Sequence, residues 1–485
     1  MDGTVLLQDI GALVPHLIVL VTGLVILSLD LFLPPQNRYV LEVCGVVGLL
    51  LALVFAVLQG GAPRLIFQDM AVVDNLAVFF HVTFLLIALI TLLMSASYIR
   101  REGMAAGEYY ALTLFATTGF MFVASAANLV MVFLAIETLS IATYILAGLQ
   151  TQEQRSQEAA LKYFILGAFS SAIFLYGIAT VYGSLGHTNV LALAAVWGRG
   201  DPPGMLLVGM GLLIVGLGFK VAVVPFHMWA PDVYDGAPTA VTAFMTTGPK
   251  AAAFAAFIRV FFQGFATPAL AQHWVPIFAV LAGLTMVLGN LMAITQVSIK
   301  RMLAYSSIAH AGYAFVALVT LDQLGAASML YYLLAYAFMS LGAFTVLTIV
   351  ARQGERHYAF SDYAGLSSTN PWLAALMALF MFALAGFPPT AGFAGKFYVF
   401  SAAVQKGYYS LALLGVLTSV VSVVYYARVV MLMYMRDADR DRAAAPISAT
   451  SGTVLGLTAL ATLFLGIFPG SVWRLAERSV QLLFS

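Results

Sequence analysis

The chain has 485 residues, 62% hydrophobic and 9% charged, with 22 Lys and Arg against 21 Asp and Glu. Soluble domains carry about 25% charged residues, so lipid is the solvent for most of this chain, and a net charge of +1 excludes a nucleic-acid-binding surface, which needs a basic excess. The single cysteine, Cys44, excludes a disulfide framework, and it excludes iron–sulfur clusters and thiolate zinc sites, which take about four cysteines each.

The start, Met1-Asp2-Gly3, lacks the positive region of a secretory signal, and the first apolar run is too long for one. A spanning helix needs about 20 mostly apolar residues. On that measure the chain predicts an all-α polytopic membrane protein of about fourteen transmembrane helices. They start near Leu13, Tyr39, Val72, Glu108, Asn128, Ala159, Gly204, Thr239, Trp274, Ser298, Leu324, Trp372, Tyr408 and Thr450. Short polar or Gly/Pro-rich joints separate many of them, among them Pro34 to Arg38, Thr151 to Glu158, Arg199 to Pro203, Arg352 to Asp362 and Arg436 to Arg442, and leave no room for a soluble domain. The end, Ser471 to Ser485, mixes Arg474, Glu477 and Arg478 with apolar residues and predicts a short amphipathic helix at the interface.

Basic residues in the loops set the orientation. The odd-numbered loops hold Arg38, Arg100, Arg101, Arg155, Lys162, Lys300, Arg301, Arg352, Arg356, Arg436, Arg440 and Arg442; the even-numbered loops and the tail hold Arg64, Arg199, Lys406, Arg474 and Arg478, with Arg259 ambiguous. The bias places the odd loops in the cytoplasm and both termini on the outer side, which an even number of spans also requires.

Four charges fall inside apolar runs: Glu137, Lys220, Lys250 and Lys396; Arg428, Glu42, Asp30 and Asp74 are less deep. A charge at the centre of a membrane helix costs about 2.5–3.5 kcal/mol, and such residues face the bundle interior and mark a pathway. The alternative is a structural ion pair, which holds for any one of them but not for three lysines facing one deep carboxylate. Ser140 and Tyr144 follow Glu137 at helical offsets and place hydroxyls on its face. They order water, or they hydrogen-bond a neighbouring helix.

Proline frees the carbonyl four residues before it. Pro225 follows Lys220 and frees Val221, and Pro249 precedes Lys250 and frees Met245. Freed carbonyls at membrane depth need protein or a wet cavity beside them. A second break, Ala385-Gly386-Phe387-Pro388-Pro389, precedes Lys396. Two interrupted helices five spans apart, each with a buried lysine, are the mark of inverted repeats. The chain is thus expected to form a single membrane domain, 1–485, with three N-terminal helices in 1–103. The first five-helix repeat occupies 104–264, the second, inverted, 271–436, and a last helix with the tail 437–485. His310, in the tenth span, titrates near neutral pH and relays a proton, or packs neutral against a backbone carbonyl. His227 is placed near the interface, and His16 and His81 in packing. Gly209-Met210-Gly211 lacks the third glycine of a dinucleotide fingerprint, and no HExxH or Walker loop occurs.

The run Gly218-Phe219-Lys220 through Pro225-Phe226-His227-Met228-Trp229-Ala230-Pro231 to Pro238-Thr239 resembles the hallmark of the antiporter-like subunits of respiratory complex I and of multisubunit cation/proton antiporters. Ser306 to Tyr313 and Gly386 to Lys396 resemble two further motifs of that family, and the resemblance extends from Glu108 to Arg436. Lys396, where an M-type subunit would carry glutamate, makes the chain resemble the N-type, and the early end after span fourteen is unlike the L-type. The resemblance implies residue roles. Glu137 is similar to the modulating carboxylate, Lys220 to the pumping lysine and Lys250 to the connecting lysine. Lys396 is similar to the lysine of the second break, and His310 to a relay between them.

It also implies a bacterial inner-membrane subunit of a proton-translocating NADH:quinone oxidoreductase. Its partners would be an M-type neighbour, small K- and J-type subunits and lipid, with no cofactor on this chain and no direct NADH binding. A free lysine holds its proton too tightly to pass it on, burial loosens it, and a nearby carboxylate tightens it again. Lifting one charge against 100 mV takes about 2.3 kcal/mol, which a swing of roughly two pKa units supplies. The rivals are a cation/proton antiporter subunit with no NADH link, a passive scaffold for a quinone reductase, and an organic-solute transporter, for which no polar substrate anchors are seen.

Overall fold

The computed structural model describes residues 3–196, 202–351, 358–437 and 447–484. Arg199, Arg352, Arg356, Arg440 and Arg442, counted in the charge bias, lie outside them. The N-terminal part holds α1 (Gly3–Ala12), α2 (Val14–Asp30), α3 (Tyr39–Leu58) and α4 (Asn75–Glu102). Next come α5 (Ala106–Ser125), α6 (Leu129–Ala147), α7 (Gln154–Leu185), α8 (Val190–Val196), α9 (Gly204–Val221), α10 (Ala230–Gly236) and α11 (Thr239–Phe257), the last running on into a π-helical turn, Ile258–Gly264. The second half holds α12 (Pro268–Ile294), α13 (Ile299–Val319), α14 (Gln323–Val350), α15 (Leu366–Thr369), α16 (Pro371–Ala385), α17 (Ala391–Gln405), α18 (Tyr409–Met435), α19 (Ala449–Ile467) and α20 (Gly470–Val480).

Among the described residues, 11 helices are long and apolar enough to cross a membrane, and α2 and α16 are shorter apolar helices. Taking α16 and α17 as one broken span, and counting α5, these elements are consistent with the fourteen expected. Polar residues start several of them by accepting an orphan backbone N–H. Asp74 takes the N–H of Ala77 at 2.8 Å, Ser298 that of Arg301 at 3.3 Å, and Asp322 that of Gly325 at 2.8 Å. Among the described residues the one sheet is a short antiparallel hairpin, Arg64–Ile66 with Ala71–Val73. Its strands are too short to disturb a hydropathy reading.

Helix α11 is buried along its whole length and α13 at all but Arg301, so both lie in the interior of the bundle. Helices α3, α7 and α18 present apolar side chains outward, as lipid-facing helices do. Helix α12 approaches α13 closely because each brings a glycine to the crossing. A Cβ at Gly289 would lie 2.7 Å from Ala309 N, and one at Gly312 2.8 Å from Met286 N. That approach fixes the segment carrying His310.

Candidate functional site

Lys220, Lys250, His310 and Lys396 are only 3–5% exposed, and Glu137 is half-buried. Among the described residues none of the three lysines has a carboxylate within 4.0 Å. The ion-pair alternative therefore does not describe them; each amine donates to neutral oxygen.

Lys220 lies in the last turn of α9, which ends at Val221 because Ala222 turns left-handed at φ 60°. The helix thus stops before Pro225 instead of being kinked by it. The amine donates to Ser140 Oγ at 2.8 Å and to Tyr144 Oη at 3.2 Å, and lies 5.5 Å from the Tyr144 ring centre. The hydroxyl stripe expected beside Glu137 therefore serves the lysine. Glu137 accepts from Ser171 Oγ on α7, a partner without a sequence signal of its own. Trp229 closes the break by donating from its indole to Phe219 O at 3.1 Å, stacked on Tyr163 at 4.5 Å.

Pro249 lies inside α11, and the carbonyl it frees, Met245 O, accepts from Tyr234 Oη at 3.3 Å. Lys250 donates to Ser307 O at 2.6 Å and Ser307 Oγ at 2.8 Å. Lys250 and His310 line one small cavity of about 10 Å³ with Thr247, Ser307, Tyr332 and Tyr336, the size that takes a single water. His310 meets no backbone carbonyl among the described residues. Its Nδ1 pairs with Tyr332 Oη at 2.5 Å and its Nε2 with Tyr426 Oη at 3.1 Å, and Tyr426 also pairs with Ser306 Oγ at 2.5 Å. These tyrosines carry no signal in the sequence, because a tyrosine in an apolar helix reads as packing.

In the second break α16 ends at Gly386, left-handed at φ 95°, and α17 starts at Ala391. Lys396 reaches back across the gap to Leu384 O at 3.2 Å and Ala385 O at 2.9 Å, 4.7 Å from the Tyr313 ring centre. It lines a groove of about 710 Å³ with Gly386, Phe393, Phe400, Ser401 and Val420, open between α17 and α18. The site residues thus fall into a Glu137–Lys220 group, a Lys250–His310 group and a Lys396 group.

Two of the charges assigned to loops or helix ends from the sequence, Lys300 and Arg259, are buried. Arg259, ambiguous there as a helix-end charge, is fully buried in the π-helical turn and grips Asp74 with both terminal nitrogens, at 2.7 and 2.6 Å. This pair is structural, a bidentate clamp between α11 and the start of α4. His81 is held in packing, pairing with Met121 O and Ser125 Oγ at 3.0 Å, with His16 against it at 4.7 Å. His227 is half-buried.

Residues 126–422 match a family model described as NADH:quinone oxidoreductase/Mrp antiporter, TM. The chain is 43% identical to NADH-quinone oxidoreductase subunit N of Trichlorobacter lovleyi, over 98% of both chains. It is also 43% identical to NADH-quinone oxidoreductase subunit N 2 of Rhizobium meliloti, over 99% of both. A chain of respiratory complex I from Thermus thermophilus superposes with a TM-score of 0.81 at 36% identity, covering 96% of this chain and 99% of that one. A chain of the Mrp complex from Dietzia sp. superposes with a TM-score of 0.82 at 19% identity, covering 99% and 98%, and shares the fold. A family model spanning most of the chain, with relatives this similar along their whole length, means that the chain belongs to the NADH:quinone oxidoreductase/Mrp antiporter transmembrane family.

Proposed function

We propose that this chain is a proton-translocating, antiporter-like subunit of a bacterial NADH:quinone oxidoreductase. Protons cross through Glu137, Lys220, Lys250, His310 and Lys396 with intervening water and hydroxyls, and redox chemistry in other subunits drives them. The observation that carries the reading is the set of buried amines, each donating to neutral oxygen. With no carboxylate bound to it, each amine can hand a proton on only through those oxygens or through water. Hydroxyls take and give protons in turn, and the Tyr332–His310–Tyr426 chain supplies such groups between Lys250 and the second break.

In this reading Glu137 tightens the hold of Lys220 on its proton when its charge is near, and loosens it when that charge is drawn away. The two five-helix units, 104–264 and 271–436, carry one broken helix each, and the signal arrives from neighbouring M-type and small K- and J-type subunits. The odd loops face the cytoplasm of the bacterial inner membrane and both termini lie outside. No cofactor is assigned to the chain. The relatives at 43% identity favour the NADH link over a cation/proton antiporter without one. Purification from native membranes tests this: flavin and iron–sulfur subunits accompany the chain, and their absence from an intact complex refutes the NADH link. In proteoliposomes, a Lys220→Ala enzyme that pumps at the parent's rate and stoichiometry removes Lys220 from the path.

A further inference from the structure

We propose that a second proton-uptake mouth opens between α7, α10 and α13, and that Lys300 beneath it passes protons to Lys250 without involving Lys220. The inference rests on the proton-translocating reading above.

A polar cavity of about 130 Å³ lies on the odd-loop side, lined by Arg155, Glu158, Lys162, Asp232, Asp235 and Arg301, with room for several waters. Lys162 bridges Glu158 at 2.7 Å and Asp232 at 2.9 Å, and Arg301 takes the other oxygen of Asp232 at 2.9 Å. Exposed ion pairs add little stability, so fastening alone is a weak account of this cluster. A polar cavity lined by charged groups brings hydrated space to this point of the odd-loop side.

One residue before Arg301, Lys300 turns inward and is buried. Its amine donates to Ala237 O at 2.6 Å and lies 5.0 Å from the Tyr358 ring centre. Asp235 lines the cavity above and accepts from Ser298 Oγ at 3.3 Å. Two routes lead inward from Lys300 to Lys250. Along α13, Ser307 is seven residues on, on the same face and about 10.5 Å away at 1.5 Å per residue, and it accepts from Lys250. Along α11, Thr239, Thr242, Thr246 and Lys250 succeed one another at offsets of three, four and four, which is one face of a helix, and all are buried. Thr246 Oγ1 lies 3.4 Å from Ser340 Oγ, so the stripe has hydroxyl neighbours as well. The Lys220 group contacts α6 and α7; the α11 stripe and Ser307 of α13 reach Lys250 without it. Lys300 loses its Nζ proton to the stripe and regains one from water in the mouth, so charge and protons balance over a cycle.

The test uses the whole complex in proteoliposomes, with protons moved per NADH oxidised as the readout. Lys300→Arg keeps the cation and the donor to Ala237 O, but a guanidinium releases its proton about 100-fold less readily or worse, by at least about two pKa units. A relay predicts fewer protons per NADH in this variant, whereas a structural cation predicts no change. Thr246→Val, close in shape but without the hydroxyl, and Ser307→Ala decide the matter if Lys300→Arg does not assemble: fewer protons in either variant support its route, and the parent's value in both overturns the proposal. Lys220→Ala serves as the control. If it lowers the ratio while Lys300→Arg does not, the second mouth is wrong and the proton-translocating reading stands. If neither lowers it, the second mouth is wrong and Lys220 leaves the path as well.

Discussion

The two broken helices hold the same residue in different ways. Lys220 donates to side-chain hydroxyls, Ser140 Oγ and Tyr144 Oη, with Glu137 nearby on the same helix as both. Lys396 donates to main-chain carbonyls, Leu384 O and Ala385 O, which its own break leaves without helical partners. Hydroxyls rotate and pass protons on; carbonyls are fixed dipoles that only accept. The first break therefore holds its amine on acceptors that can rotate, and the second on fixed ones at the edge of a groove of about 710 Å³.

Removing either amine breaks the comparison outright and has the largest effect. A positioned proton donor contributes about 10²–10⁴-fold, so Lys220→Ala and Lys396→Ala each lower proton pumping by about that factor, read as dye quenching in proteoliposomes. If only one of them does, the two breaks do not belong to one path. The next effect separates them. Ser140→Ala deletes an acceptor 2.8 Å from Lys220, a bond to a charged group worth about 1.5–3 kcal/mol. It slows pumping by about tenfold or more, at about 1.4 kcal/mol per factor of ten. No side-chain substitution removes the acceptors of Lys396, since they are backbone.

Backbone exchange sharpens the contrast with a smaller effect. Gly386 and Ala222 both take left-handed conformations, at φ 95° and 60°, and that region costs a residue with a Cβ about 1–2 kcal/mol. Gly386→Ala incurs this and sets a Cβ 3.1 Å from Lys396 Cδ, so the melting temperature and pumping both drop. Ala222→Gly relieves it and raises the melting temperature of the assembled complex.

The span starts and both breaks were legible in the sequence because hydropathy and proline act locally. Expected starts at Tyr39, Gly204 and Thr239 coincide with α3, α9 and α11. Lys220, Lys250 and Lys396 were legible because a charge in an apolar run stands out. Their partners were not. Ser171 reaches Glu137 across 34 residues, Tyr426 reaches His310 across 116, and Asp74 grips Arg259 across 185, and no periodicity encodes such distances. Pro225 also misled in part. The helix ends ahead of it at Ala222, so the break is a left-handed stop instead of a kink.

The smallest expected effect comes from the lysine ten residues after Lys396, at the end of the same helix. Lys406 lies at the C-cap of α17, half exposed, 3.6 Å from Asp322 Oδ2. Asp322 is already engaged: it takes the N–H of Gly325 at 2.8 Å and the hydroxyl of Thr320 at 2.9 Å. Lys406→Ala therefore removes an exposed pair worth about 0–1 kcal/mol, and both melting temperature and protons per NADH stay at the parent's values. Residue type and helix are shared by Lys396 and Lys406; burial differs. A loss of pumping in Lys406→Ala as large as in Lys396→Ala would mean that burial is not what sets Lys396 apart.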